Sequence, residues 1–347
     1  MEKKMKVAVM QKIHEIVFEE RDIPAPKANE VLVKIKHVGI CGSDMHYYEH
    51  GRIGDFVVEN PIILGHESAG EIVEVGSDVT GFKPGDLVAI EPGYTCGKCE
   101  FCKTGRYNLC PDVIFMATPP YDGAFCEYVA YPADWVFKLP QGMTTLEGAL
   151  VEPLAVGLHA ASQGKAKIGQ SAVVLGSGCI GLVTMISLKA MGVTEVYVSD
   201  LIKKRLDLAK ELGATEVFKA DEVDVVKAIM DLTDGKGIDL VFETAGSIRT
   251  TQQTASLVKR GGTIVLVGMS PEGHILYDIG TLMAKEARIE TVFRYRNLYP
   301  TAIKAVASGL IPVAKVATDF FKFEDLPNAM DYVIKNKSDI VKGVIEF

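Results

Sequence analysis

The stretch Ala172-Val173-Val174-Leu175-Gly176-Ser177-Gly178-Cys179-Ile180-Gly181 decides the architecture of this chain. Its apolar start reads as a strand buried on both faces, and helical sequence follows through Lys189. Between them Gly176, Gly178 and Gly181 give the spacing Gly-x-Gly-x-x-Gly. Glycines there permit a tight turn and close backbone approach, and the helix N-terminus is left to face a pyrophosphate. The spacing alone is a weak signal. It gains weight from Asp200, which ends the next strand-like stretch, Val196-Tyr197-Val198-Ser199-Asp200, where a carboxylate suits the ribose hydroxyls of an adenosine. A carboxylate repels a 2′-phosphate, so NAD is favoured over NADP, although Lys203, Lys204 and Arg205 temper that preference.

Working outward, Lys203 to Leu212 reads as a helix closed by Gly213, and Leu240-Val241-Phe242 and Thr263-Ile264-Val265-Leu266-Val267-Gly268 as further strands. Alternation of apolar strands with helices means a doubly wound parallel sheet covered on both faces, here assigned to 151–287. Residues 1–150 are different. Short strands such as Val31–Lys36, Gly70–Gly76 and Asp86–Ile90, separated by turn signals like Lys83-Pro84-Gly85, predict a β-rich, barrel-like domain. The α/β rhythm fades near Arg288, and 288–347 is expected to return to the first domain.

Composition narrows the class. A chain of 347 residues, 48% hydrophobic and 24% charged, is long enough for two ordinary domains. A net charge of −8 disfavours nucleic-acid partners, and no apolar run is long enough for a membrane helix. The start, Met1 to Val7, lacks the apolar core of an export signal, so a cytoplasmic enzyme is expected. Seven cysteines in such a chain argue for thiols rather than a disulfide framework.

Four of those thiols, Cys96, Cys99, Cys102 and Cys110, cluster within one lobe at about 92–112. Two successive Cys-x-x-Cys steps let reversing turns aim sulfurs at one point, and four thiolates complete a tetrahedral, structural zinc site; disulfides and iron–sulfur ligation are the competitors. A second site is read from Cys41 in Gly39-Ile40-Cys41-Gly42-Ser43-Asp44 and from Gly65-His66-Glu67. A thiolate, an imidazole and a carboxylate leave a fourth position open for water or substrate, and such a zinc lowers the pKa of a hydroxyl. Adjacent residues diverge in a regular strand, so His66 and Glu67 both ligate only where the backbone bends. Glu152, in Leu150-Val151-Glu152-Pro153-Leu154-Ala155, is the rival carboxylate.

With these motifs the sequence resembles the zinc-dependent medium-chain dehydrogenases along nearly its whole length. Val38 to Tyr48, Gly51-Arg52-Ile53-Gly54, Glu152 to Ala160 and Val292-Phe293-Arg294-Tyr295 look most like the sorbitol and xylitol dehydrogenases. The resemblance implies a GroES-like catalytic domain, a Rossmann coenzyme domain inserted in it, two zinc ions per chain, NAD, and a homotetramer or homodimer. It also implies oxidation of a polyol secondary hydroxyl to a ketose. It assigns Cys41, His66 and Glu67 to the catalytic zinc, with Glu152 on its water or substrate or exchanging as ligand. Tyr47, Phe115, Glu152, Arg294 and Tyr295 match polyol-contact positions. Val267, Gly268, Met269, Val292, Phe293 and Arg294 match the nicotinamide end, and Ile180, Asp200 and Arg205 the pyrophosphate and adenosine end. Ser43 and His46 resemble a proton relay. A threonine or butanediol dehydrogenase, or a non-enzymatic relative of the same fold, is the alternative.

Overall fold

The computed structural model describes residues 4–270 and 273–347; the first three residues of the N-terminal stretch lie outside it. The chain divides into two compact units, one of Met1–Glu152 with Tyr299–Phe347, the other of Pro153–Leu298.

The first unit is built on a seven-stranded sheet. Its centre is the strand Glu30–Gly39, in which Val31, Val33, Ile35 and Val38 are buried. It pairs antiparallel with Glu67–Val75, Gly39 opposite Glu67. On its other side it pairs with the tail strand Gly343–Glu346, Val344 opposite Gly39. Gly39 is therefore flanked by two segments distant in sequence. Both carry charged side chains of the site described below.

The second unit holds six parallel strands. Their spatial order is Glu216–Lys219, Glu195–Asp200, Ser171–Leu175, Ile238–Glu243, Val258–Leu266 and Arg288–Thr291. The order reverses direction beside Ser171–Leu175, the switch point at which doubly wound sheets bind dinucleotides. The helix Cys179–Ala190 follows directly, with Leu182, Val183, Met185, Ile186 and Leu188 buried.

One expected boundary is corrected. The parallel sheet was to end at 287, yet Arg288–Thr291 is its sixth strand, in register Thr263 to Arg288. This is an edge strand, and Arg288, Ile289 and Thr291 are exposed. An edge needs no continuous apolar run, so the period-based reading passed over it.

Candidate metal and dinucleotide sites

Cys41 lies in extended backbone (φ −87°, ψ 156°) and is the N-cap of a helix, Gly42–His50. Three residues on, the fully buried Asp44 does two things. Its Oδ2 accepts the Cys41 amide at 2.9 Å, and its Oδ1 accepts the Gly65 amide at 2.9 Å. One carboxylate thus ties together the two ligand-bearing segments. Gly65 takes the left-handed conformation (φ 86°) that glycine tolerates best. His66 follows it outside regular structure, and Glu67 opens the next strand. The bend falls where joint ligation requires it.

Cys41, His66 and Glu67 each offer a donor atom, and these lie within 4.8 Å of one another. Sulfur, nitrogen and oxygen at that spacing fit a zinc ion with an open coordination position. Among the described residues Glu152 is not part of that cluster; it is buried in the first turn of the helix Val151–Gln163. His66 Nδ1 lies 3.5 Å from Asp44 Oδ1. Burial opposes a charged His66, but Asp44 and Cys41 outweigh it and raise its pKa well above the ordinary value. Burial likewise acts against the Asp44 carboxylate, and His66 with the two amides still holds its pKa down. Phe115 walls the site, its ring 5.6 Å from the imidazole and only 9% exposed.

Three residues of this site were given no role by the sequence reading. Asp44 is one. The second is Lys342, whose Nζ lies 2.7 and 2.8 Å from the two Glu67 carboxylate oxygens and 3.1 Å from the Ile40 carbonyl oxygen. The third is Gly39, where a Cβ would overlap Glu67 Oε2. Lys342 lies about 275 residues from its partner and is brought to it by the tail strand. No local pattern encodes such a pairing.

The four-cysteine lobe forms as expected. Cys99 and Cys102 sulfurs are 3.5 Å apart, Cys96 and Cys110 3.6 Å, and Cys96 and Cys102 4.0 Å. A tetrahedron with metal–sulfur bonds of about 2.3 Å has edges of about 3.8 Å, whereas a disulfide would need about 2.05 Å. The geometry fits zinc and excludes disulfides. Amides of Cys99 and Cys102 donate to Cys96 and Cys99 sulfurs at 3.4 and 3.5 Å, stabilising thiolates.

In the second unit, Gly176, Gly178, Asp200 and Arg205 line a cavity of about 400 Å³. Gly176 has φ 101°, and a Cβ on Gly181 would overlap the Gly176 carbonyl oxygen, so any side chain at 181 would push the helix away from the turn. Asp200 closes the turn by accepting the Ser177 amide at 2.6 Å and the Ile202 amide at 2.9 Å. The amides of Val267 and Gly268 both donate to the Glu243 carbonyl oxygen, at 2.9 and 3.0 Å. The Glu243 side chain, missed by sequence reasoning, accepts the Ala245 and Gly246 amides, at 3.0 and 2.9 Å, and the Thr250 hydroxyl at 2.7 Å. The Val292 amide donates to Leu266 at 3.0 Å, while Met269 and Phe293 are exposed. Ile180 lies in the first turn of the helix.

The remaining candidates are placed as follows. Tyr47 is buried on the helix that also carries Ser43 and His46. The His46 ring meets His50, one turn on, with centroids 4.7 Å apart. In the second unit Arg294 stacks over Phe293 at 4.9 Å and Tyr295 is buried. His159 is buried, and burial followed by the Arg296 charge pushes its pKa down to about 4.

Comparisons with known proteins agree with this reading. The family model of the alcohol dehydrogenase GroES-like domain matches residues 27–141, and that of the zinc-binding dehydrogenases matches 179–308. Sorbitol dehydrogenase of Bacillus subtilis is 44% identical over 98% of this chain and 97% of its own. D-xylulose reductase A of Aspergillus niger is 41% identical over 97% and 96%. A solved Escherichia coli oxidoreductase of unknown specificity superimposes with a TM-score of 0.96, at 45% identity and 99% coverage of both chains. Among the described residues no helix is long and apolar enough to cross a membrane. With a sulfur–nitrogen–oxygen site and a four-thiol lobe in the first unit and a glycine-turn parallel sheet in the second, this chain belongs to the zinc-binding alcohol dehydrogenase family with a GroES-like domain.

Proposed function

We propose that this chain is a zinc-dependent polyol dehydrogenase, which transfers a hydride from a secondary hydroxyl of a sorbitol-, xylitol- or iditol-type polyol to NAD and yields a ketose. The observation that carries this reading is the convergence of Cys41, His66 and Glu67 on one point, in a chain 44% identical to a sorbitol dehydrogenase. The zinc, when bound, supplies Lewis acidity that lowers the pKa of a substrate hydroxyl.

The chain's own residues do the rest. Cys41, His66 and Glu67 hold the metal, and Asp44 fixes the segments bearing the first two. Phe115 covers the imidazole and keeps water from that face. Ser43 Oγ accepts the hydroxyl proton as its own O–H proton leaves toward His46, which releases a proton to water. Glu152, Tyr47, Arg294 and Tyr295 hydrogen-bond the other hydroxyls of a polyol. A simple alkyl alcohol leaves them unpaired and is a poorer substrate. Asp200 takes the adenosine ribose, with Arg205 beside it in the same cavity. The pyrophosphate falls to Gly176, Gly178, Ile180 and Gly181, and the nicotinamide end to Val267, Gly268, Met269, Val292 and Phe293. Seven free cysteines suit the reducing cytoplasm, and a homodimer or homotetramer is the expected assembly.

Initial rates across sorbitol, xylitol, iditol, threonine, 2,3-butanediol and ethanol, with NAD and NADP in parallel, test the proposal. Polyols with NAD should lead; a preference for threonine or butanediol would replace the substrate class.

A further inference from the structure

We propose that His46 and His50 form a site for a third, loosely held divalent cation of the zinc class, separate from the two zinc sites above. The helix Gly42–His50 places residues 46 and 50 one above the other on a single face. Their rings lie 4.7 Å apart between centroids and are inclined at 73°. Two imidazoles that bind one ion through a nitrogen each, at about 2.1 Å and a tetrahedral angle, have ring centres about 5 Å apart. The pair already stands at chelating distance. His46 is half-buried and His50 exposed, and neither ring makes a hydrogen bond among the described residues. Each ring can therefore offer a nitrogen lone pair to a cation.

The helix itself is held still. Asp44 ties its first turn to the Cys41 and Gly65 amides. Its inner face buries Tyr47 and Tyr48, and the Tyr48 hydroxyl donates to Asp331 at 3.1 Å. Little backbone freedom remains to be lost when the pair closes on an ion. His50 lies in the last turn, where the negative end of the helix dipole favours a cation. Glu49, in no ion pair among the described residues, adds a negative charge beside it. Neither histidine belongs to the three- and four-donor groups, so the protein offers two nitrogens and water fills the other positions. Imidazole suits zinc, copper and nickel, whereas magnesium and calcium prefer oxygen. Occupancy has a consequence that rests on the proposed relay: with its lone pair on a cation, His46 cannot take the proton that leaves Ser43. Zinc beyond the resident two is thus an inhibitor, and its removal restores turnover.

The test is equilibrium dialysis of the two-zinc protein against graded zinc, with metal counted per chain. Polyol-dependent NADH formation is measured on the same samples, each relative to its own rate without added zinc. The unaltered chain is compared with H50Q and with H274Q, which removes an exposed histidine outside the pair. The unaltered chain and H274Q should take up a third zinc and slow as it binds, and magnesium should do neither. H50Q should need about tenfold more zinc, or higher, for the same uptake and the same slowing. A chain that stays at two zinc ions overturns the proposal, and so does an H50Q that takes up the third as readily as the unaltered chain. A third zinc that is lost in H50Q but leaves turnover of the unaltered chain untouched supports the site and removes His46 from the relay. The dialysis count needs no substrate, so failure of the polyol reading and failure of this inference are separately visible.

Discussion

The Asp200 carboxylate accepts the Ser177 amide at 2.6 Å, so the acidic residue that ends one strand is bound to the glycine turn that ends its neighbour. One side chain thus shapes the glycine turn and lines the cavity beside it, where the proposed cofactor would place its pyrophosphate and adenosine. Its removal should affect NAD more than NADP, whose 2′-phosphate it repels. In an Asp200→Ala variant we expect KM for NAD to rise about tenfold or more, with the NAD-to-NADP preference falling by a comparable factor. Steady-state kinetics with both cofactors checks this, and unchanged NAD kinetics would remove Asp200 from its ribose role.

The four lobe cysteines form a group separate from Cys41, His66 and Glu67, and on the proposed reading they take no part in the chemistry. A Cys99→Ser variant should retain one zinc per chain in place of two and melt several degrees lower, while a freshly prepared sample still turns over. Metal analysis paired with thermal melting reads both effects. Loss of all zinc, with immediate loss of turnover, would mean that the lobe is not merely structural.

Glu91 offers a test by pH. It is buried beside the Tyr107 hydroxyl, which donates to it at 2.7 Å. Burial pushes its pKa up from 4.5 to about 7; the Tyr107 hydrogen bond pulls down, and the Glu152 charge pushes up again. Because the folded value is raised, its protonated form contributes stability that is complete below about pH 4.5 and lost as pH rises through about 7. A Glu91→Gln variant keeps the Tyr107 contact without the charge. It should match the parent near pH 4.5 and exceed it above pH 7 by at most about 3 kcal/mol. Denaturant unfolding across that range reads the difference, and two parallel stability curves would disprove the assignment.

Much of this molecule was legible because its signals are local. Gly176 to Gly181 with Asp200, the spacing of the four lobe cysteines, and Gly65-His66-Glu67 each pack their chemistry into a few consecutive residues or one strand–helix unit. What escaped depends on tertiary pairing. The edge strand Arg288–Thr291 is too exposed to carry an apolar run. The Lys342–Glu67 contact exists because two strands flank Gly39, a register that no stretch of sequence announces. Asp44 belongs to the motif around Cys41, yet its bond to Gly65 is visible only once the segments meet.

The most direct test of the central claim is zinc content measured together with polyol-dependent NADH formation in a Cys41→Ser variant. Removing the sulfur of the cluster that joins His66 and Glu67 should leave only the lobe zinc and abolish turnover, with the fold preserved by circular dichroism. A variant that keeps its full activity after losing that one zinc, or loses none, would contradict the account.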